Sequence, residues 1–244
     1  VSSALKADGS LITEADLAVH TRLRKELLAY WPEIEFLSEE MPEAEQLDLL
    51  AQADKALWCL DPLDGTSNYA AGIPYFGVSL ALMQDGRCVA GIVYDPIADE
   101  CFSALSGQGA KLNGKPLSPE QRPADLESAM AMVDLKRLPG ELIVSLAHRS
   151  PYRSQRSFGS VALDWCWIGA GRCHVYLHGG QKLWDYAAGS LIALEAGAAG
   201  GLMDDYTDNF SQVLTLKPRI GMAATDDALL ELWRGWIVDE LKQG

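Results

Sequence analysis

The sequence predicts an α+β fold in which helices and sheets lie in layers. Alternating apolar residues separated by turn residues between positions 76 and 112 are typical of antiparallel strands, and helical segments precede and follow this region. Each segment has an apolar face to bury, and stacking helices on sheets is the economical way to bury it. With 244 residues, 48% of them hydrophobic, the chain is long enough to form a large core.

The N-terminal region predicts two helices and a buried strand. The first helix is expected over residues 13–31, where a threonine can cap the first turn and a proline follows the last. A polar helix is expected over residues 43–53. The apolar run at residues 57–60 then predicts a buried strand that ends in an acidic turn at residues 61–65.

The central region predicts an antiparallel meander. Apolar residues alternate over positions 78–82, residues 84–86 supply a turn, and a second strand returns over residues 89–94. The pair Asn113-Gly114 is typical of a further tight hairpin. We therefore expect an antiparallel sheet here.

Beyond residue 126 the pattern alternates between strands and helices. Strands are predicted over residues 129–133, 142–146 and 173–177, and helices over residues 160–170 and 185–196. The proline-containing segment 117–126 separates the two patterns. It predicts an N-terminal subdomain of residues 1–122 and a C-terminal subdomain of residues 123–244, packed as one compact domain.

The composition excludes several kinds of partner. A formal net charge of −14 repels phosphate backbones, so nucleic acid is not expected as a partner, and a small phosphorylated metabolite would need bound cations to approach. No apolar run is long enough to span a bilayer, so no membrane association is predicted. Five cysteines, placed singly in apolar stretches, favour free thiols in a reducing cytoplasm over disulfides or zinc.

The strongest chemical signal is the stretch Asp61-Pro62-Leu63-Asp64-Gly65-Thr66 after the predicted strand. Two carboxylates joined through a proline place hard oxygen ligands at a strand end, where magnesium could bind. The glycine lets the backbone turn, so that the following N–H groups and hydroxyl can face a phosphate. An ordinary acidic turn is the alternative, since Asp, Pro and Gly form turns in all proteins.

Three further acidic segments support the first. Asp185 begins a helix of small residues, which could approach a shared site closely, although a plain helix cap is the alternative. Glu39 and Glu40 follow the apolar Leu37 and Ser38, with solvated glutamates as the alternative. Thr13 and Asp16 have the spacing of a capping box, which is a structural role.

In order and rough spacing, these four segments resemble the inositol monophosphatase family. Residues 61–66 (DPLDGT) and 184–189 (WDYAAG) resemble its two signatures, residues 37–40 (LSEE) its acidic loop, and residues 13–16 (TEAD) its TxAD segment. Weaker similarity covers the chain from Lys6 to Gly201. The resemblance implies a layered αβαβα sandwich of the sugar phosphatase type, with an antiparallel-rich first sheet, a smaller second sheet and a homodimeric assembly.

The resemblance also implies two to three magnesium ions and their ligands. Glu39, Asp61 and the main-chain carbonyl of Leu63 would hold one ion. Asp61, Asp64 and Asp185 would hold a second, and Glu39 would contribute, with water, to a looser third.

The implied reaction is the attack of a water on phosphorus. Glu39 and Thr66, whose hydroxyl would be polarised by Asp16, would orient that water, while the ions neutralise the ester and stabilise the leaving alkoxide. N–H groups of Gly65, Thr66 and Ser67 would bind the phosphate. No protein nucleophile is required.

The substrate side departs from the family pattern. His178 stands where inositol-specific members carry a glutamate that meets substrate hydroxyls, so it is either a pocket-rim residue or a surface residue in a glycine-rich loop. Val161 matches a position that contacts the sugar, and residues 142–159 are shorter than in most members. The predicted substrate contacts are Asp64, Gly65, Thr66, Ser67, Val161, His178 and Asp185.

The sequence is consistent with three functions. Ser67-Asn68-Tyr69 is close to the branch that hydrolyses inositol monophosphate or related sugar and polyol phosphates, so a lithium-sensitive phosphoric monoester hydrolase is the main expectation. A 3′(2′),5′-bisphosphate nucleotidase shares Lys6-Ala7-Asp8 but differs after Thr66. A regulatory protein that binds a partner through the phosphatase scaffold is the alternative from another class.

Overall fold

The computed structural model describes residues 3–5, 11–52 and 55–243; the Lys6-Ala7-Asp8 segment and the end of the helix predicted over 43–53 lie outside them. The strands are β1 (Ser3–Leu5), β2 (Leu11–Thr13), β3 (Glu35–Ser38), β4 (Leu57–Asp64), β5 (Gly77–Gln84), β6 (Arg87–Asp95), β7 (Glu100–Leu105), β8 (Ala110–Leu112), β9 (Lys115–Leu117), β10 (Met130–Asp134), β11 (Ser154–Arg156), β12 (Val175–Gln181), β13 (Ala199–Met203) and β14 (Arg219–Ala224). The helices are α1 (Glu14–Tyr30), α2 (Glu43–Leu50), α3 (Thr66–Ala71), α4 (Gly140–Arg149), α5 (Val161–Gly169), α6 (Leu183–Glu195) and α7 (Asp227–Gln243).

The first sheet contains seven strands in the order β3-β4-β5-β6-β7-β8-β9. Only β3 and β4 run parallel, and every other neighbouring pair is antiparallel. The predicted hairpin turns are present, because Asp85-Gly86 and Asn113-Gly114 have the positive φ angles that tight two-residue turns need. The antiparallel-rich first sheet is therefore confirmed.

The second sheet is smaller, with five strands in the order β11-β10-β12-β14-β13. Strand β10 runs parallel to β11 and β12, while β14 runs antiparallel to β12 and β13. Both sheets are thus mixed, and the predicted α+β class is confirmed.

Alternation along the strands shows how the layers stack. On β4, Leu57 and Cys59 pack into the core formed with α5 and α6, whereas Leu60 packs on the α1 side. On β12, Tyr176 faces the same middle helices, and Leu177 faces the core beneath α4 and α7. The order of layers is therefore helix, sheet, helices, sheet, helices, as in the predicted αβαβα sandwich.

The predicted subdomain boundary falls between the two sheets. The first sheet ends at Leu117 and the second begins at Met130. Helices α5 and α6, which follow the boundary in sequence, complete the core of the first sheet, so both halves of the chain share one interior. The division at residue 122 stays a prediction.

One predicted strand is wrong. Residues 142–146 were expected to be extended, but they lie inside helix α4. The run Leu-Ile-Val-Ser-Leu has β-branched residues typical of strands, yet Leu142, Ser145 and Leu146 are the buried positions, which is helical spacing. Tertiary burial of that face overrides the local preference for strand.

Other boundaries differ by a few residues. Strand β4 continues four residues beyond the predicted end and includes the expected acidic turn as far as Asp64. The strand predicted over 173–177 is shifted to Val175–Gln181, so His178 lies inside a strand. In the described ranges, no helix combines the length and the apolar character needed to cross a membrane.

Candidate functional site

The first two carboxylates of the site lie at the end of β4. Asp61 pairs with Ser79 of β5, but Asp64 pairs with Gly77, so the register slips by one residue between them. Such a bulge redirects side chains, which otherwise alternate strictly between the faces of a sheet. Both Asp61 and Asp64 are buried, at 2% and 8% exposure.

Each of these carboxylates is fixed through one oxygen atom. Asp61 Oδ1 accepts a hydrogen bond from the Leu63 N–H at 3.0 Å. Asp64 Oδ2 accepts from Ser160 Oγ at 2.7 Å and from the Ala162 N–H at 2.6 Å, at the start of α5. The contacts orient the carboxyl groups and join β4 to the second half of the chain.

The third carboxylate, Asp185, comes from the first turn of α6. Its Oδ2 accepts the Lys182 N–H at 2.8 Å. Asp185 is not the N-cap of α6, because that position is held by Lys182 and Asp185 is the third residue of the helix. Ser79 Oγ donates to the Trp184 carbonyl at 3.1 Å and holds this turn against β5. Asp185 thus stabilises the first turn of α6 and also belongs to the candidate site.

Glu39 supplies the fourth carboxyl group, directly after β3. Its N–H donates to the Leu60 carbonyl at 3.2 Å, which places it beside the end of β4. Gln46 Nε2 donates to the carbonyl of Ser38 at 2.8 Å, and the Ser38 hydroxyl lies 3.0 Å from a ring nitrogen of His20. These contacts fix the chain on which Glu39 stands.

Removal from water and mutual repulsion raise the pKa values of the three aspartates. Burial raises the pKa of Asp61 well above its ordinary value, and Glu39, Asp64 and Asp185 raise it further. Burial raises the pKa of Asp64 to about 6, although its hydrogen bonds from Ser160 and Ala162 oppose the rise. Burial and then Asp64 raise the pKa of Asp185. The four acids therefore lie within electrostatic range of one another; we call them the acidic centre.

The side-chain positions stop short of a closed metal cage. Within residues 3–5, 11–52 and 55–243, no three His, Cys, Asp or Glu side chains are grouped tightly enough to hold a metal ion. The chemistry of the acidic centre nevertheless fits a divalent cation, because clustered buried carboxylates are hard oxygen donors whose repulsion a cation relieves. Among the described ion pairs, none joins Asp61, Asp64 or Asp185 to a basic side chain.

Thr66 connects the acidic centre to α1. Its hydroxyl lies 2.9 Å from the Leu63 carbonyl oxygen and 3.2 Å from Asp16 Oδ1. One hydroxyl proton cannot serve both acceptors at once, so donation to Asp16 leaves the Leu63 carbonyl available to a cation. Asp16 is buried, and its other oxygen accepts the N–H and hydroxyl of Thr13, so the expected capping box is also present.

The predicted phosphate-binding turn has the backbone that it needs. Gly65 has φ +93°, and a Cβ there would stand 3.1 Å from both the Tyr75 carbonyl and Phe76 Cβ. Only glycine adopts this conformation readily. Ser67 is exposed beyond it, in the short helix α3.

Val161 and His178 have different surroundings. Val161 begins α5, and its N–H also donates to Asp64, so it lies next to the acidic centre. His178 is buried in β12, with Nε2 3.0 Å from Asp134 Oδ2 and Nδ1 accepting from the Gly180 N–H at 3.2 Å. The surface-loop interpretation of His178 is wrong, because the residue pairs inside the second sheet. Its contact with substrate stays a prediction.

Sequence reasoning missed the residues that position the acidic centre. Ser160 both caps α5 and donates to Asp64, and its place after Gly159 at a predicted helix start was the signal that could have found it. Asn68 Nδ2 donates at 2.7 Å to the carbonyls of Tyr75 and Phe158, which ties α3 to the second half of the chain. No local sequence pattern predicts this contact between distant parts of the chain.

Comparisons with known proteins agree on one family. The sequence profile described as "Inositol monophosphatase family" matches residues 2–238. "Nus factor SuhB" of Pasteurella multocida is 34% identical over 215 residues, which cover 86% of this chain and 78% of that protein. "Inositol monophosphatase 1" of Solanum lycopersicum is 35% identical over 213 residues, covering 84% and 76%. A solved inositol monophosphatase (IMPase) structure from Thermotoga maritima matches with a TM-score of 0.80 at 26% identity, covering 100% of this chain and 88% of that one. The chain belongs to the inositol monophosphatase family.

Proposed function

We propose that this protein is a magnesium-dependent phosphomonoesterase that hydrolyses inositol monophosphate or a related sugar or polyol phosphate. The observation that carries the proposal is the acidic centre, in which the buried Asp61 and Asp64 repel the half-buried Asp185 and Glu39 near the end of β4. Keeping such groups together costs stability, and a bound cation would offset that cost. Membership of the family supports the same reaction class.

Glu39, Asp61, Asp64, Asp185 and the Leu63 carbonyl would hold the two to three magnesium ions. When bound, magnesium would neutralise charge on the phosphate oxygens and lower the pKa of a coordinated water toward neutral pH. Each aspartate has one oxygen engaged by a protein donor, which leaves the other oxygen to face the cation. The protein contribution is therefore orientation of the ligands before the cation arrives.

Thr66 and Glu39 would orient the attacking water. When the Thr66 hydroxyl donates to Asp16, its oxygen lone pairs can accept a hydrogen bond from that water. Glu39 is half-buried, and its carboxylate can accept a second hydrogen bond from that water. The N–H groups of Gly65, Thr66 and Ser67 would meet the phosphoryl oxygens.

A panel of phosphate esters tests this proposal. Phosphate release should be measured from inositol 1-phosphate, fructose 1,6-bisphosphate, 3′-phosphoadenosine 5′-phosphate and histidinol phosphate, with magnesium, with EDTA and with added lithium. We expect magnesium-dependent release, inhibited by lithium, with the highest kcat/KM for a polyol phosphate. A preference for the adenosine bisphosphate would assign the nucleotidase branch, and release from none of them would refute the phosphatase proposal.

A regulatory role is the second candidate, because the chain is similar to proteins named "Nus factor SuhB". Such a role would need a protein partner that binds the phosphatase scaffold. A pull-down from cell extract with wild-type protein and with Asp185→Asn, each with and without magnesium, separates the two functions. Retention of a specific partner by a hydrolytically inactive variant would support binding as a separate activity. The predicted homodimer is tested by light scattering during size-exclusion chromatography.

A further inference from the structure

One rim of the acidic centre is formed by the ends of two parallel strands. Strands β10 and β12 run parallel, with Asp134 opposite His178, so both strands end at the same edge of the second sheet. After β10 the chain makes a single 3₁₀ turn, Leu135–Arg137, and after β12 it enters α6, which carries Asp185. Ligands bind in crevices beyond the carboxyl ends of such strands. We call residues 134–137 and 178–180 the second-sheet rim.

Close backbone contact fixes the 3₁₀ turn on β12. A Cβ at Gly179 would overlap the Arg137 carbonyl oxygen, so the turn lies directly on the strand. A Cβ at Gly180 would stand 3.6 Å from Arg137 Cδ, so the arginine side chain extends along β12 toward the end of that strand. At Gly179 only a residue without a side chain permits this approach. The two glycines therefore place Arg137 beside the strand that leads to α6.

Arg137 is a cation within reach of the acidic centre. Burial and Asp64 raise the pKa of Asp185, and the Arg137 guanidinium is the nearby cation that opposes this rise. In the described chain, no basic side chain is among the main influences on the pKa of Asp61 or Asp64. The guanidinium therefore lies on the Asp185 side of the acidic centre, where the strand ends also place it.

The Arg137 guanidinium has donors to spare. Its side chain is 51% exposed, and in the part of the chain that the structure describes it forms no hydrogen bond. Its ion pair with Asp134 is long, at 4.0 Å, and exposed pairs contribute little. Asp134 has closer donors, since its Oδ1 accepts the Lys136 N–H at 2.9 Å and its Oδ2 lies 3.0 Å from His178 Nε2. Two N–H groups of Arg137 can therefore bind an oxyanion side by side.

His178 has no comparable capacity. Its Nδ1 accepts the Gly180 N–H, so the ring proton lies on Nε2, which donates to Asp134. Both ring nitrogens are thus engaged within the protein, and a hydrogen bond from His178 to a substrate would break one of these contacts. Of these two side chains on the second-sheet rim, Arg137 is the one that is ready to bind a ligand.

We propose that Arg137 is a specificity residue that binds a second anionic group, a phosphate or a carboxylate, of the ester hydrolysed at the acidic centre. This inference rests on the proposed function and narrows its substrate class to sugar or polyol phosphates that carry a second negative charge. The acidic centre would hold the phosphoryl group to be cleaved, and Arg137 would hold the other end of the molecule. Because the net charge of −14 repels anions, the effect of this one arginine should be measurable.

Three esters of one sugar ring test this inference, because they differ only at C6. Glucose 1-phosphate has a hydroxyl there, glucose 1,6-bisphosphate has a phosphate, and glucuronate 1-phosphate has a carboxylate. Cleavage of the C1 ester in magnesium is followed by phosphorus NMR, which gives kcat/KM for each. We expect at least one of the two anionic groups to raise kcat/KM by about tenfold over the hydroxyl, the effect of one charge-assisted hydrogen bond. The preferred group identifies which anion Arg137 binds.

Two neighbouring residues provide matched variants. Arg137→Gln removes the guanidinium, whereas Lys136→Gln removes the same charge from the other exposed basic side chain of the 3₁₀ turn. The quantity compared is the ratio of kcat/KM for the preferred anionic ester to kcat/KM for glucose 1-phosphate. We expect Arg137→Gln to reduce this ratio to about one, Arg137→Lys to retain part of it, and Lys136→Gln to retain all of it.

The outcomes separate this inference from the proposed function. A ratio near one in wild-type protein, or an equal ratio in wild-type protein and Arg137→Gln, would overturn the role of Arg137 and leave the phosphatase proposal standing. Equal losses in Arg137→Gln and Lys136→Gln would overturn it too, because they would indicate general attraction by charge. Hydrolysis of inositol 1-phosphate but of none of the three glucose esters would also overturn the inference alone. Hydrolysis of no ester at all would overturn both proposals.

Discussion

Asp64 shows how a single residue serves both the fold and the site. Ser160 and Ala162 donate to one of its oxygens and thereby fix the start of α5 against β4. The same burial that makes these hydrogen bonds strong also disfavours the charge, so the pKa of Asp64 is raised to about 6. The residue is accordingly held in place at a cost that a divalent cation would offset.

Replacing a single acidic ligand should abolish hydrolysis without unfolding the chain. We expect Asp64→Asn and Asp185→Asn each to lower magnesium-dependent kcat by more than about 100-fold. Losing a residue that only hydrogen-bonds to a metal ligand typically costs about 10- to 100-fold, and losing a ligand should cost more. Both variants should retain the far-ultraviolet circular dichroism spectrum. Asp48→Asn, an exposed aspartate in α2, is the matched control and should keep full activity. Near-normal turnover in either site variant would remove Asp64 or Asp185 from the proposed ligand set.

The raised pKa of Asp64 predicts how stability depends on pH. Because the folded state binds the proton more tightly than the unfolded chain, stability increases as pH falls through the folded pKa of about 6 toward the ordinary value of 3.8. The full effect is on the order of 3 kcal/mol, from about two pKa units at about 1.4 kcal/mol each. In EDTA, the Tm of wild-type protein should rise relative to that of Asp64→Asn as pH is lowered from about 7.5 to about 5.

Magnesium should reverse this trend, because it binds the deprotonated carboxylates. The Tm increase on adding magnesium should therefore be larger at neutral pH than at about pH 5. A magnesium-induced Tm shift that is independent of pH, or equal in wild-type protein and Asp64→Asn, would contradict a role for this carboxylate in binding the ion.

At the scale of elements, α6 is the helix on which the site depends. A Cβ at Gly189 would stand 2.9 Å from the Ala162 carbonyl oxygen and from Trp165 Cβ, so α5 and α6 touch backbone to backbone there. Gly91 on β6 lets the opposite side of α6 approach Ala188 equally closely. Glycines thus set the position of the helix that carries Asp185.

Two helical glycines should respond oppositely to the same substitution. Gly189→Ala should destabilise the protein by about 1–3 kcal/mol through overpacking and lower its activity by displacing α6. Gly235→Ala lies in α7, where an added Cβ meets nothing within 4 Å, and should stabilise by about 0.5–1 kcal/mol. Thermal unfolding measures the Tm of both variants. Equal Tm shifts would show that the close contact between α5 and α6 at Gly189 does not exclude a Cβ.

Sequence patterns predicted helices and strands best where the apolar residues followed only one periodicity, that of a strand or that of a helix. The meander over 78–94 and the capped helix α1 were recognised because alternation and the Thr13–Asp16 spacing are local signals. Residues 142–146 are predicted as strand because four of the five are apolar and two of these are β-branched, and only packing against α7 decides for helix. The strands and helix beyond Gly197 carried no comparably clear pattern and were not assigned.

At the scale of the whole molecule, the net charge of −14 acts on every ion that approaches. A strongly negative field attracts magnesium and repels phosphate esters, and added salt screens both effects. We expect the magnesium concentration for half-maximal thermal stabilisation to rise when ionic strength is increased from about 0.01 M to about 0.15 M with tetramethylammonium chloride. The large organic cation avoids competition for the acidic centre. If this magnesium concentration does not change with ionic strength, the net charge of the protein does not contribute to binding, and only contacts within the acidic centre attract the ion.

The acidic residues of the acidic centre could be predicted from the family-like segments, but the residues that hold them in place could not. Glu39, Asp61 and Asp185 were named from short motifs, whereas Asn68 and Ser160 act through partners more than 85 residues away. His178 illustrates the same limit, since its ring is held by Asp134 on a neighbouring strand that no motif connects to it. Long-range contacts of this kind arise only from the topology.

The hydrogen bonds that assemble the acidic centre join residues 50, 96 and 105 positions apart. A nascent chain emerging from the ribosome therefore displays Asp61 and Asp64 long before Ser160 and the α6 turn exist to receive them. If the acidic centre binds a cation as proposed, we expect it to do so only after Asp185 and the helix that follows have been synthesised, so that every product terminated upstream of Asp185 would lack hydrolytic activity.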